Sequence, residues 1–294
     1  MDMRIKAGIL SLLPDKAYIS LKYWYNFKKL PNIDHPVTYN EKIQWLKIHD
    51  RKPQYTKMVD KYEAKEFIRS VAGESYVIPT LGVWEHFEDI DFSQLPDQFV
   101  LKCTHDSGGV YVCTDKREID REKLAKFFGK HLKTNYFYEG REWPYKNVRP
   151  RIIAEELLKD PDSPDLKDYK VLVFNGKAVL LYVASERQDK NEETKFDFYD
   201  MDFNHLDIRN GHPNAGKTVS RPLRFREMID VAEKLAAGIT HLRVDFYVVQ
   251  DRLYVGELTF SHNSGFLPFD PPEWDVRIGS WLKLPEPERE GKQT

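Results

Sequence analysis

The sequence predicts an α+β protein whose strands pair as antiparallel hairpins. Helical patterns fill roughly the first 72 residues, and β-rich runs separated by a few helices follow them. The run "DYKVLVFNGKAVLLYVAS" places Asn175–Gly176 between two apolar stretches. Such a pair favours a type I′ hairpin turn, because both central residues of that turn need positive φ. Consecutive hairpins argue against a doubly wound parallel sheet.

Composition and charge narrow the class of protein. The chain has 294 residues, of which 41% are hydrophobic and 31% charged, as in ordinary globular proteins. Its net charge of −2 argues against a general nucleic-acid-binding surface. No run approaches the roughly 20 apolar residues of a membrane span, and the N-terminus lacks the apolar core of a signal peptide. We therefore expect a cytoplasmic protein.

Four helices are predicted from apolar spacing and capping residues. "TYNEKIQWLKIHD" suggests a helix with Asn40 as its N-cap, and "DKYEAKEFIRSVAG" one capped by Asp60 and closed by Gly73. Residues 119–133 and "RFREMIDVAEKLAAG", which Gly238 closes, read as two more. The basic, aromatic stretch Lys22–Leu30 leaves two readings open, a helix packed on the body or a weak contact with a membrane surface.

The predicted strands are "YVIPTLGVW", "QFVLKCT", "RIIAEELL", the Asn175–Gly176 hairpin, "KFDFYD" and a second hairpin over residues 242–260. This second hairpin turns at Gln250–Asp251. Cys103 and Cys113 are interpreted as buried thiols rather than a disulfide. The polar stretch 187–221 is predicted to be rich in loops, as active-site lids often are.

The stretch "FVLKCTHDSGGVYVC" is a candidate phosphate-binding loop. Gly108 and Gly109, which follow Ser107, let backbone N–H groups approach an anion closely. Lys102 precedes the loop and can neutralise phosphate oxygens. An ordinary tight turn beside a surface lysine explains the same residues, and no Walker or G-x-G-x-x-G spacing is present.

Two acids of the second hairpin, Asp245 and Glu257, lie among apolar neighbours. They are 5 and 6 residues from the turn, so we expect them to face each other across the strand pair. Adjacent carboxylates repel unless a proton or cation lies between them, and Mg²⁺ with nucleotide phosphates suits such a pair. Arg243 points to the same face and can stabilise a transferred phosphoryl or acyl group. Glycosidase-like acid–base chemistry and a purely structural ion network are the alternatives.

Two further segments carry polar residues in apolar strands. In "IIAEELLKD" the predicted strand ends in Glu155 and Glu156, which can hydrogen-bond an adenine amino group or ribose hydroxyls, or can form a solvated strand end. "DYKVLVFNG" holds Lys170 at a strand start, where it can meet the same phosphates as Lys102 or simply lie on the surface.

The order of these motifs resembles the ATP-grasp superfamily. The ordered set is "DKYEAK", "FVLKCTHDSGG", "IIAEELL", "DYKVLV" and "RVDFY…YVGELTF". The stretches "TYNEKIQWLKIHDRKP", "FVLKCTHDSGG" and "GELTFSHNSGF" are similar to the TupA-like ATP-grasp branch of polysaccharide and teichuronopeptide biosynthesis. The likeness runs from about Tyr39 to Phe269 and implies two α+β subdomains that hold ATP between antiparallel sheets.

The resemblance implies a role for each matching residue. Lys61 and Lys102 would meet the phosphates under the Ser107–Gly109 loop, with Lys170 a further, catalytic phosphate contact. Glu155 and Glu156, with the Leu157–Leu158 backbone, would bind adenine, and Asp168 the ribose. Asp245, Glu257 and Thr259 would take the Mg²⁺ positions, and Arg243 would steady an acyl phosphate. "SHNSGF" would bind an acceptor carboxylate, through Asn263, Ser264 and Gly265.

The sequence departs from the superfamily in two places. The usual Glu-x-Asn metal motif reads Glu257-Leu258-Thr259, and a hydroxyl is a poorer Mg²⁺ ligand than an amide oxygen, unless Asn263 substitutes. The front end is too short and helical for the N-terminal domain of the familiar ligases. We expect a helical region over 1–55, a small subdomain over 56–150 and a large subdomain over 151–294.

Three functions follow as hypotheses. The first is an ATP- and Mg²⁺-dependent ligase that joins an amine to a carboxylate, such as a uronic acid or nucleotide-sugar carboxylate, in surface polysaccharide synthesis. The second is a glycosyltransferase or sugar-modifying enzyme of that pathway, for which "DMDF" (Asp200–Phe203) matches a short metal motif. The third is a nucleotide-binding module without catalysis. The substrates and the oligomeric state are not specified by the sequence.

Overall fold

The computed structural model describes residues 12–160, 166–186, 193–216 and 219–286. Within these ranges the helices are α1 Asp15–Phe27, α2 Tyr39–His49, α3 Gln54–Val59, α4 Glu63–Val71, α5 Arg121–Leu132, α6 Phe137–Gly140, α7 Phe225–Leu235 and α8 Glu273–Trp281. The strands are β1 Thr80–Trp84, β2 Phe99–Cys103, β3 Val110–Cys113, β4 Ile152–Glu156, β5 Asp168–Phe174, β6 Lys177–Ser185, β7 Lys195–Tyr199, β8 His205–Leu206, β9 His241–Val249 and β10 Arg252–Thr259.

These strands form two antiparallel sheets, as the hairpin signals predict. The smaller has the order β1-β4-β2-β3 and the larger the order β10-β9-β5-β6-β7-β8. Every pair of neighbours is antiparallel. The subdomain boundaries stay a prediction, but β4, which the predicted division assigns to the large subdomain, is hydrogen-bonded to β1 and β2 in the smaller sheet.

Both predicted hairpin turns are confirmed by their backbone angles. Asn175 and Gly176 have φ of 51° and 78°, and Gln250 and Asp251 have φ of 47° and 59°. Positive φ at both central positions is the type I′ geometry, whose twist matches that of the flanking strands. These turns fix the register of β5 with β6 and of β9 with β10, and so fix which side chains share a face.

The helices begin close to the predicted residues, but α2 uses a different cap. α2 is capped by Thr38, whose hydroxyl accepts from the Glu41 N–H while Glu41 accepts from the Thr38 N–H. The predicted cap, Asn40, lies inside the first turn, because the Thr-x-x-Glu capping box positions the helix two residues earlier. Asp60 accepts from the N–H groups of Tyr62 and Glu63 just ahead of α4, as expected of a capping residue.

The larger sheet is buried on both faces. One face packs against α3, α4 and α7 through residues that include Val171, Val244 and Phe246. On the other face, the half of the sheet that contains Leu172 and Phe174 packs against α1, α2 and α8. The remaining half of that face carries polar side chains and is the candidate site. A third core joins the smaller sheet to α5 and contains Cys103 and Cys113, which are free and buried as predicted.

Two predictions concern other parts of the chain. Part of the predicted loop-rich stretch 187–221 lies outside the described residues, and its remainder includes β7 and β8. No helix in the described ranges is both long and apolar enough to cross a bilayer.

Candidate functional site

The strand register brings the predicted acidic pair together. Asp245 of β9 lies directly opposite Glu257 of β10, and Lys170 of β5 lies opposite Asp245 on its other side. Arg243, two residues before Asp245, lies opposite Thr259. Because alternate residues of a strand share a face, all five side chains project from the polar half of the sheet. The predicted proximity of Asp245 and Glu257 is confirmed.

Asp245 is held by two cations. The Arg243 guanidinium donates from Nε to Oδ1 at 2.6 Å and from Nη2 to Oδ2 at 2.8 Å. Lys170 contacts Asp245 and also lies 2.7 Å from the carboxylate of Asp168. Burial alone would raise the pKa of Asp245, but Arg243 and Lys170 lower it to about 2. Asp245 is therefore ionised, and its charge orients Arg243 and Lys170.

Glu257 has looser contacts than Asp245. Its side chain is 27% exposed, and its closest cations are Lys61 Nζ at 3.7 Å and Arg243 Nη2 at 3.8 Å. Mg²⁺ is usually held by one or two carboxylates together with phosphate oxygens, so accessible Glu257 beside Asp245 fits such an ion. Thr259 is a weaker candidate, because its hydroxyl accepts from Arg243 at 3.1 Å. In the described part of the chain, no three His, Cys, Asp or Glu side chains form a metal cluster.

Glu155 joins two lysines at the end of the smaller sheet. Its carboxylate lies 2.5 Å from Lys65 Nζ and 2.6 Å from Lys102 Nζ. Burial alone would raise the pKa of Glu155, but these two cations hold it below its ordinary value. Lys65 was not predicted from the sequence, although it follows Lys61 by four residues in "DKYEAK", the spacing of neighbours on a helix surface.

Lys61 connects the glycine-rich loop to the acidic strand. Its backbone N–H donates to the Thr104 carbonyl at 3.0 Å, and its Nζ donates to the Asp106 carbonyl at 2.5 Å. The same Nζ lies 3.7 Å from Glu257. One lysine thus contacts the predicted phosphate loop and the predicted metal ligand together.

The loop itself has the features expected of a close backbone approach. Ser107 and Gly108 are exposed, and Gly108 has φ of 107°, which L side chains rarely adopt. A Cβ at Gly109 would lie 2.7 Å from Asp106 Oδ1. The buried carboxylate of Asp106 pairs with His131 of α5, which anchors the base of the loop.

A cavity lies between these groups, and an apolar cluster lies near it. The cavity is lined by Lys61, Lys65, Glu155 and Glu257, among others, so both sheets contribute to it. Leu158 packs with Ile78, Val249 and Tyr254. An apolar cluster beside a cavity lined by two lysines and two glutamates suits a purine ring and its phosphates. Glu156 is exposed and Leu157 is partly buried, so their predicted adenine contacts, and that of ion-paired Glu155, stay predictions.

The predicted acceptor segment is a left-handed turn. Asn263, Ser264 and Gly265 have φ of 47°, 57° and 64°. Two αL residues other than glycine in succession cost of order 1 kcal/mol each, and such strain is concentrated at functional sites. The Ser264 hydroxyl donates to Glu142 Oε1 at 2.8 Å. The predicted contact of this segment with an acceptor carboxylate stays a prediction.

His262 contacts the guanidinium of Arg243. Its Nδ1 lies 3.4 Å from Arg243 Nη1, and its Nε2 lies 2.9 Å from Asn210 Oδ1. Asn263 Nδ2 also donates to Asn210 Oδ1, at 2.7 Å. Burial and the neighbouring Arg243 lower the pKa of His262 well below its ordinary value, so the ring is neutral. Sequence reasoning missed His262, whose only signal was its position three residues after Thr259.

The alternative metal motif "DMDF" has a structural role. The Asp200 carboxylate accepts from the N–H groups of Asp202 and Asn204 and from the Asn204 side chain. These bonds close the turn between β7 and β8, and they account for an acid at this position.

The comparisons with known proteins agree with the motif order. The profile of the family described as TupA-like ATPgrasp matches residues 41–283. No curated protein matches the sequence.

The chain is also similar to three solved structures. They are the ATP-grasp ligase PsnB with its minimal precursor (12% identity, TM-score 0.42, 71% of this chain and 55% of that chain), the D-alanine–D-alanine ligase of Bacillus anthracis (16%, 0.40, 69% and 57%) and purK, an N5-carboxyaminoimidazole ribonucleotide synthetase with ADP (18%, 0.44, 76% and 52%). The chain thus spans little more than half the length of each.

Proposed function

This chain belongs to the TupA-like ATP-grasp family, and we propose that it is an ATP-dependent ligase that joins a carboxylate to an amine through an acyl phosphate. The observation that carries the proposal is the position of Lys61. It contacts the glycine-rich loop and lies 3.7 Å from Glu257, so two lysines that can bind phosphate and one acid that can bind a divalent ion line one cavity.

Each group has a role in this proposal. Lys61, Lys65 and Lys102 bind the phosphate chain with the backbone of the Ser107–Gly109 loop, and Lys170 completes the set. Glu257 and Asp245 hold Mg²⁺, which would neutralise charge on the transferred phosphoryl group. Arg243, fixed by Asp245 and by His262, stabilises the acyl phosphate. Leu158 and its apolar neighbours cover the adenine face, and Asp168 binds the ribose.

The finer parts of the proposal rest on the family alone. We propose an amino acid or amine as one substrate, a uronic acid or nucleotide-linked uronate as the other, and surface polysaccharide synthesis in the cytoplasm as the setting. ADP and phosphate are the expected products.

A coupled assay for ADP release tests the proposal. Purified protein is supplied with Mg²⁺ and ATP and with a panel of uronic acids, nucleotide-linked uronates and amino acids, tested singly and in pairs. ADP that appears only when one acid and one amine are both present supports the ligase and identifies its substrates. A protein that neither releases ADP nor gains thermal stability with Mg-ATP contradicts the proposed function.

A further inference from the structure

Glu142 is a buried acid beside the candidate site that the reaction described above does not use. It lies between α6 and the short helix Trp143–Tyr145, and only 3% of its surface is exposed. Its Oε1 accepts a hydrogen bond at 2.8 Å from the hydroxyl of Ser264, which belongs to the left-handed turn. This acid was not predicted from the sequence, since nothing in "YEGREWPY" distinguishes Glu142 from its acidic neighbour.

In the described part of the chain, no cation forms an ion pair with Glu142. Lys47 of α2 has the largest electrostatic effect on Glu142, but its Nζ donates to the carbonyls of Gly140 at 2.7 Å and Ser264 at 2.9 Å. Lys47 also lies over the Phe266 ring, 4.1 Å from its centroid. A buried carboxylate with a hydroxyl as its hydrogen-bond partner keeps capacity for a cation from outside the chain.

Charged groups of the larger sheet belong to the electrostatic surroundings of Glu142. Arg243 and Glu257 of the larger sheet both act on it electrostatically, as does Lys47. Glu142 in turn acts on Tyr136 and Tyr145 of its own segment, and on Lys22 of α1. These groups come from the larger sheet, from α1 and α2, and from the segment of Glu142 itself. They include the arginine that would steady the electrophile.

Burial raises the pKa of Glu142, and Lys47, Ser264 and Arg243 offset that rise in part. A carboxylate with a raised pKa accepts a proton more readily near neutral pH than an exposed one. The acid therefore has both the charge to attract an ammonium ion and the basicity to deprotonate it.

We propose that Glu142 and Ser264 form the subsite for the amine substrate, where Glu142 binds the amine as an ammonium ion and then removes one proton. This inference rests on the proposed ligase function and specifies the position and charge of its nucleophile. The ammonium ion donates to the Glu142 carboxylate and transfers a proton to it, which frees the nitrogen lone pair. The nitrogen attacks the acyl carbon, the C–N bond forms, and the bond from that carbon to the phosphate oxygen breaks. The second proton of the nitrogen leaves with the phosphate.

The test compares two nucleophiles with the variant Glu142→Gln, which keeps the size of the side chain and an acceptor for Ser264. Hydroxylamine is uncharged above neutral pH and traps acyl phosphates as hydroxamates, so it needs neither the charge nor the base. With hydroxylamine and the carboxylate panel, we expect the variant to match the wild type within about twofold. With cationic amino acids as nucleophile, kcat/KM should fall about tenfold or more, the loss expected for a charge-assisted hydrogen bond, while the KM for ATP is unchanged.

Two further variants test whether the effect of Glu142→Gln on turnover is only structural. Glu139→Gln removes the same charge from an exposed position of the same segment and should leave both nucleophiles unaffected. Ser264→Ala removes the partner of Glu142 and should impair the cationic amines selectively, to a smaller extent. The acid limb of the pH profile with cationic amines should be lost in Glu142→Gln.

The outcomes separate the subsite from the function. A Glu142→Gln protein as efficient as the wild type with cationic amines overturns the subsite alone. So does a variant that loses hydroxylamine turnover to the same extent, because the defect is then not specific to the amine. A wild type that forms neither ADP nor hydroxamate overturns the ligase function, and the subsite with it.

Discussion

Glu257 and Asp245 face each other across one strand pair, but their surroundings differ. Glu257 is 27% exposed with cations no closer than 3.7 Å, whereas Asp245 is buried and receives two hydrogen bonds from Arg243. For Glu257→Gln we expect Mg²⁺-dependent turnover to fall about a hundredfold or more, since a metal ion supplies several kcal/mol to charge stabilisation. The free energy of unfolding should change by less than about 1 kcal/mol, because its ion pairs are long and solvated.

Asp245→Asn serves as the matched comparison. It should also abolish turnover, but the free energy of unfolding should fall by about 3 to 5 kcal/mol, because Arg243 and Lys170 lose a buried partner. Urea denaturation and the coupled ADP assay measure both effects. Wild-type magnesium dependence in Glu257→Gln would remove this residue from the metal site.

Lys102 is predicted to bind phosphate through a charge that Glu155 maintains. Burial lowers the pKa of Lys102, but the 2.6 Å contact with Glu155, together with Tyr247 and Glu257, raises it above its ordinary value, so the ammonium stays protonated. For Lys102→Met, which keeps the length of the side chain, we expect the KM for ATP to rise about tenfold or more. Lys126→Met removes an exposed ion pair with Glu122 and should leave the KM for ATP unchanged. Equal nucleotide affinity in the two variants would contradict the assignment.

At the scale of elements, the left-handed turn Asn263–Gly265 positions the end of β10 against α2. A Cβ at Gly265 would lie 2.5 Å from Gln44 Nε2 and 2.7 Å from Ile43 Cγ2, in addition to the strain of φ at 64°. Gly265→Ala should therefore lower the free energy of unfolding by about 2 to 4 kcal/mol.

Gly238→Ala is the control that separates backbone strain from steric crowding of the added Cβ. Gly238 has φ of 73°, but an added Cβ there would meet nothing within 4 Å, so the substitution should cost about 1 kcal/mol. Thermal or urea unfolding of both variants gives the difference. If Gly265→Ala costs no more than Gly238→Ala, α2 does not constrain the turn.

The sequence was most informative about elements whose signals are local. The turns at Asn175–Gly176 and Gln250–Asp251 depend on φ preferences of two residues each, and both hairpins formed as predicted. The cap of α2 was misjudged because Asn40 and Thr38 are both good caps, and the decision came from Glu41 three residues after Thr38. The pairing of β4 with β1 and β2 depends on contacts distant in sequence, which no local pattern encodes.

At the scale of the whole molecule, two buried histidines link stability to pH. Burial lowers the pKa of His241 to about 3 and that of His262 well below its ordinary value. Below about pH 6.5 the unfolded chain binds protons that the folded chain excludes, so stability is lost as pH falls. Each histidine should lower the free energy of unfolding by about 1.4 kcal/mol per pH unit between about pH 6.5 and 5.

The variant His262→Gln isolates one of these contributions. Glutamine can still accept from Arg243 and donate to Asn210, so the fold should survive. The slope of the free energy of unfolding against pH should decrease by about 1.4 kcal/mol per pH unit. The exposed His86, changed to Gln, should leave the slope unchanged. Urea denaturation at several pH values measures the slopes, and equal slopes in all three proteins would show that His262 is protonated when folded.

The candidate site could be predicted in part because its members fall in a characteristic order along the chain. Asp245, Glu257, Arg243 and Lys170 were found from charged residues isolated in apolar strands, and the strand register places them together. Lys65, Glu142 and His262 were missed because each lies in an ordinary polar context. Their significance comes from what faces them in space, namely Glu155, Ser264 and Arg243.

The position of Lys61 has a thermodynamic consequence. Its single ammonium stands between the loop carbonyl of Asp106 and the carboxylate of Glu257, where a divalent ion and a phosphate would each be stabilised by the other. Nucleotide alone would bring anions towards Glu257, and metal alone would bring a cation towards Lys61. Each ligand bound alone therefore lies near a protein group of its own charge. When both are bound, each ligand compensates the charge that opposes the other. Metal and nucleotide should bind with positive cooperativity, and by reciprocity each should tighten the other by the same factor.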